Sequence, residues 1–105
     1  MVSFYGCKKK PKGPLLIVHT VLHDSNDTFS TSGVLVLVYD FDTGTLKTKG
    51  VTDENGDVQL QMDHGIYSVQ AEYHTQDKSY SGEMDGWVEF KNKEIKKVTI
   101  DLYSH

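Results

Sequence analysis

Arginine is absent from the 105 residues, alanine occurs once, cysteine once and proline twice. Without arginine the chain lacks the forked donor that binds phosphate and guanine bidentately, and a formal charge of −4 adds repulsion. Nucleic acid is therefore not an expected partner. A single cysteine cannot close an internal disulfide, so stability must come from an apolar core, which one domain of this length can build by burying roughly two thirds of its unfolded surface. Scarce alanine, and the lack of any sustained i, i+3, i+4 apolar period, speak against helices. No run approaches the ~18 apolar residues of a membrane span. The segment before Cys7 is too short for the ~7 to 15 apolar residues of a secretory signal.

What is present points to strands. Valine (11) and threonine (9) are abundant, and β-branched side chains suit pleated, half-buried surfaces. Charge is uneven: Lys8, Lys9, Lys10 and Lys12 crowd the start, leaving seven lysines against 15 acidic residues in the remainder. The run from Met1 to Pro14 can neither bury apolar surface nor sustain a helix or central strand. It is expected to be a flexible basic leader (1–14) ahead of one domain (15–105).

Leu15 to Leu22 is apolar on both faces and predicts a buried first strand. Gly33 to Phe41 places Val34, Val36 and Val38 on one face and Leu35, Leu37 and Tyr39 on the other, so both faces are expected to be covered. Thr45 to Thr52 follows as a more polar strand, and Asp53-Glu54-Asn55-Gly56 signals a hairpin into Asp57 to Met62, with positive φ near Gly56. Val58, Leu60 and Met62 then alternate with polar residues. Tyr67, Val69, Ala71 and Tyr73 do the same in Ile66 to Thr75. Gln76 to Gly86 reads as a polar loop, and Trp87 to Lys91 and Ile95 to Leu102 as a hairpin about Asn92-Lys93-Glu94. The expected fold is all-β: a single antiparallel β-sandwich of about seven strands with Greek-key connections.

Thr43-Gly44, Thr52-Asp53-Glu54-Asn55-Gly56, Val58-Gln59-Leu60 and Gly65-Ile66-Tyr67-Ser68-Val69-Gln70-Ala71 resemble the carboxypeptidase regulatory-like domain of the transthyretin-like (prealbumin-like) sandwiches. The likeness spans roughly residues 33 to 73 and departs from the family pattern at Ser30-Thr31-Ser32, where a Pro-containing turn is usual. It implies a transthyretin/Cna-B-like architecture, within which both enzymes and non-enzymes occur. The superfamily's 5-hydroxyisourate hydrolase uses His and Arg and ends in Tyr-Arg-Gly-Ser. This chain ends Leu102-Tyr103-Ser104-His105 without arginine, and only His19 resembles that enzyme's early His-bearing strand. In the collagen-adhesin B-type repeat an acid promotes a Lys–Asn isopeptide bond; Ala71 holds the acid's position here, so that cross-link is not expected.

Several residues are candidates for chemistry. Trp87, Tyr80 and Asp85, with the 76–86 loop, could form a sugar-stacking platform, although a tryptophan capping the core is the plainer reading. Asp40 and Asp42, and Asp53, Asn55 and Asp57, place hard oxygens at alternating positions like fragments of a calcium loop that lacks its distal bidentate Glu, and turn chemistry is the cheaper explanation. His19 and His23 stand about 13 Å apart on a strand, too far to share one ion. Phe4-Tyr5-Gly6-Cys7 followed by lysines resembles the end of a bacterial lipoprotein signal, making Cys7 either a lipid attachment site or a free thiol.

The expectation is a non-enzymatic accessory or binding module, without cofactor, that contacts protein or carbohydrate at a cell surface. Membrane contact would come only through a lipid on Cys7. The expected location is extracytoplasmic, in the periplasm or on the cell surface, with the cytoplasm left open. The alternatives are a carbohydrate-binding module using Trp87 and a small hydrolase.

Overall fold

The computed structural model describes residues 13–25 and 27–104. Cys7 and the leader up to residue 12 lie outside them. Among the described residues nine strands follow in order: β1 (Leu15–Asp24), β2 (Asp27–Phe29), β3 (Leu35–Asp40), β4 (Leu46–Val51), β5 (Asp57–Gln61), β6 (Gly65–His74), β7 (Ser79–Glu83), β8 (Val88–Phe90) and β9 (Ile95–Ser104). The fold is the expected all-β sandwich. One layer carries β5, β1 and β9, the other β4, β3, β6 and β8; β7 hydrogen-bonds to both β6 and β9 and joins them at one edge.

The core comes from period-two alternation on both layers. Leu16, Val18 and Leu22 of β1, Val36 and Val38 of β3, Val69 and Ala71 of β6, and Ile100 and Leu102 of β9 are all buried in one cluster. Burial occurs on one side only. The opposite residues of β1 and β3, expected to be covered as well, are only partly buried (Ile17, His19, Val21; Leu35, Leu37, Tyr39), because each layer has a single inner face.

Pairing departs from the sequence expectation in four places. β1 and β9 run parallel, from Leu15↔Ile95 to His23↔Tyr103, since both enter at the same end, where Leu15 N–H donates to the Glu94 carbonyl. The Asn55-Gly56 turn is not a ladder hairpin: β4 pairs with β3 and β5 with β1, so the turn carries the chain from one layer to the other. β8 pairs with the start of β6 rather than with β9, and Glu94 instead accepts from the N–H groups of Lys91 and Asn92. The supposed loop 76–86 contains β7. Its Ser-Tyr-Ser-Gly-Glu sequence has one large apolar side chain, too few for alternation to register.

Candidate functional site

Each layer turns an outer face to water, and the two differ in character. On the β6–β3–β4 layer, register aligns Lys49, Leu37, Gln70 and Glu83 in one row, Val51, Leu35 and Glu72 in the next, and Leu46, Tyr39 and Ser68 in a third. β3 thus lays an apolar stripe along the middle of an outer face. At one end Phe41 and Trp87 meet, ring centroids 5.4 Å apart and tilted by 44°. Leu46 and Phe41 are each 49% exposed, Val51 and Trp87 each 57%. A shallow groove beside the two rings is lined by Ser68, Gln70, Glu83, Met84 and Asp85.

Trp87 is therefore not a core cap. It precedes β8, whose Val88 and Phe90 turn inward, and the alternation puts position 87 outside. Asp85 lines the same groove. Tyr80 does not, being only 3% exposed and set between Phe29 and Tyr73 with its hydroxyl donating to Asp24 Oδ2 at 3.1 Å. It sits on the inner side of β7 and offers no stacking surface for a sugar.

The same Asp24 carboxylate receives Lys78 Nζ, and this bond foremost holds its pKa below the ordinary 3.8. A carboxylate depressed in the folded state adds stability that is present above its unfolded value and disappears as pH falls through the folded one. The urea midpoint should therefore drop as pH is lowered below about 4, and it should drop less steeply in Asp24→Asn. Equal slopes for parent and variant would show that this pair does not contribute.

The β5–β1–β9 outer face is mixed, with Asp57, Gln59, Lys97, Thr99 and Asp101 set among Ile17, Val21 and the exposed Ile95 (69%) and Tyr103 (58%). His19 Nδ1 lies 2.6 Å from Asp57 Oδ1, and His19 Nε2 lies 3.4 Å from Ser30 Oγ. The sequence did not reveal this chain, because its members come from β1, β5 and the segment after β2. It has the connectivity of a nucleophilic triad, but the serine hydroxyl donates its one proton to the Thr20 carbonyl at 2.8 Å. The arrangement ties together β1, β5 and the segment after β2. Nearby, His23 Nε2 meets Asp101 Oδ1 at 2.9 Å while its ring stacks on Tyr103.

Two of the aspartates proposed as calcium ligands, Asp40 and Asp53, serve their own turns. Asp40 Oδ1 accepts from the N–H groups of Asp42 and Thr43, and Asp53 Oδ1 from those of Asn55 and Asp57. The two clusters are separate, since one closes the β3–β4 turn and the other the β4–β5 connection. Among the described residues no three His, Cys, Asp or Glu side chains converge as a metal would need. Ala71 is buried opposite Val36 among apolar side chains.

No protein-family model matches the chain, and neither does any curated protein. Solved structures similar over 88% of its length include GBS52, the minor pilin of Streptococcus agalactiae (17% identity, TM-score 0.66); BcpA, the major pilin subunit of Bacillus cereus (20%, 0.57); and a DUF4876 family protein from Bacteroides thetaiotaomicron (18%, 0.56). The chain spans 44%, 30% and 23% of those proteins respectively. At such identities the likeness establishes architecture: this chain is a β-sandwich of the kind found in these two pilin subunits.

Proposed function

We propose that the chain is a non-enzymatic binding module displayed outside the cytoplasm, and that it engages a protein partner through the outer face of the β6–β3–β4 layer. One observation carries this reading. Phe41, Leu46, Val51 and Trp87 are about half exposed and adjoin Leu35, Leu37 and Tyr39 on a surface where water should favour polar residues. Contiguous apolar patches with aromatic anchors characterise contact surfaces. The pilin neighbours and the motifs resembling carboxypeptidase regulatory-like domains support a structural or adhesive role over catalysis.

A second reading, carbohydrate binding, is favoured by the exposed Trp87 ring beside Phe41, with Gln70 and Asp85 at the adjoining groove. One experiment separates the two. The labelled full chain is titrated onto cell envelopes of its source organism and onto a glycan array, in parallel with a Phe41→Ser/Trp87→Ser variant. Protein binding predicts saturable envelope retention that survives removal of envelope glycans and weakens at least ten-fold in the variant. Retention that disappears with the glycans, with capture on the array, assigns the face to sugars; equal retention of parent and variant removes this face from the function.

A further inference from the structure

We infer that the occupant of this face is a second copy of the chain, held in a two-fold pair whose axis runs along β3. The inference rests on the proposed role of that face and identifies its partner. It follows from how charge is distributed about the apolar stripe.

The stripe of Leu35, Leu37 and Tyr39 is flanked unequally. On the β4 side stands Lys49, exposed and without an ion-pair partner among the described residues. On the β6 and β7 side stand Glu72 and Glu83, with Asp85 beyond. Glu72 has only a 3.6 Å contact with His74, both side chains being largely exposed. Within one chain β3 lies between the strands of Lys49 and Glu72, and no ion pair joins the two among the described residues.

Rotation about an axis parallel to β3 exchanges the two flanks. β3 then packs on β3 of the partner, so that Leu35 and Leu37 of both copies meet, while β4 of each copy lies over β6 of the other. Lys49, level with Gln70, comes within reach of the partner subunit's Glu72 across layers packed about 10 Å apart. The contact is isologous, so the same pairing forms twice. An axis perpendicular to β3 would instead set β6 on β6 and bring like charges together. A neutral or uniformly charged face would give no reason to prefer a second copy; this one is complementary to itself.

The size of the face sets the strength. Three strands about 4.8 Å apart and six residues long cover about 14 by 20 Å, a few hundred Å² from each copy. Even with Phe41 and Trp87 added, the total falls below the ~1,200 Å² of standard interfaces, which places the pair in the weak, concentration-dependent class.

Sedimentation velocity on the full chain, from micromolar to millimolar concentration at low salt, tests the arrangement. The parent should show a reversible monomer–dimer equilibrium that weakens as salt rises. Lys49→Glu and Glu72→Lys should each weaken dimerisation at least ten-fold, because each creates two like-charge contacts. An equimolar mixture of the two variants should associate again, since each then supplies the charge the other needs, and the double variant should recover in the same way. Circular dichroism on all of these proteins confirms that the monomers are folded. A parent monomeric throughout, a dimer indifferent to both charge changes, or a mixture that fails to recover overturns the two-fold pair. If the parent is monomeric while Phe41→Ser/Trp87→Ser still loses envelope retention, the face binds a different protein, and only the second copy is rejected.

Discussion

Gly82→Ala is expected to unfold the protein or bring it to the edge of unfolding, with a loss of ~3 kcal/mol or more against the ~5 to 15 that hold a typical domain. The glycine lies in β7 where that strand passes from β6 to β9, and a Cβ there would stand 2.0 Å from the Asp101 carbonyl oxygen and 2.9 Å from its carbon. Those are backbone atoms of a strand held along its length by the parallel ladder to β1, so no side-chain rotation relieves the overlap. Relief requires peeling β7 from β9, where register joins only Tyr80 to Ser104 and Ser81 to Tyr103. That separation would open the edge joining the layers and wet Tyr80. Urea denaturation followed by circular dichroism reads the result; an unchanged midpoint would mean that β7 does not pass so close to β9.

The second large effect is expected at Gly56, whose φ of 80° lies in the left-handed region. Conformation is only part of the cost. A Cβ at this position would meet Ser30 Cβ at 2.7 Å and the Thr20 carbonyl oxygen at 3.0 Å. That carbonyl already accepts from Ser30 Oγ, and Thr20 N–H donates to the Gly56 carbonyl, so neither neighbour can move without breaking a bond between β1 and the turn. Gly56→Val should therefore cost ~3 kcal/mol, above the ~1 kcal/mol expected from backbone strain alone. Gly44→Ala supplies the comparison, having a φ of 75° and nothing within 4 Å of its Cβ. If both variants lose the same stability, the packing of Gly56 against Ser30 and Thr20 carries no energy, and φ alone explains the turn.

The positions of most strands were legible because alternation is a local property. Val58, Leu60 and Met62, or Tyr67, Val69 and Ala71, announce an inner face without reference to any other segment. The missed strands lacked that signal: β2 is three residues long and wholly exposed, and β7 has Tyr80 as its one large apolar side chain. Of the candidate site, Trp87 and Asp85 could be nominated from residue type. Tyr80 was nominated on the same ground and proved buried. The apolar stripe on β3 was visible as a pattern, but its exposure was not, since a doubly apolar strand in sequence more often signals cover on both sides.

Composition and periodicity by themselves determined an all-β sandwich, the core-facing side of the alternating strands β5 and β6, and the need for positive φ at Gly56. All of these follow from covalent geometry and from neighbours within a few residues. Which strands pair was decided only by the tertiary structure, because partners such as Leu15 and Ile95 are separated by most of the chain, and loop closure across that length leaves no local trace. For the same reason Ser30, His19 and Asp57 meet as a brace, Asp24 receives Lys78 and Tyr80, and Leu37 stands between Lys49 and Gln70 on an open face. Exposure and charge complementarity belong to the assembled surface, whose members are brought together only when both layers have closed on their shared core.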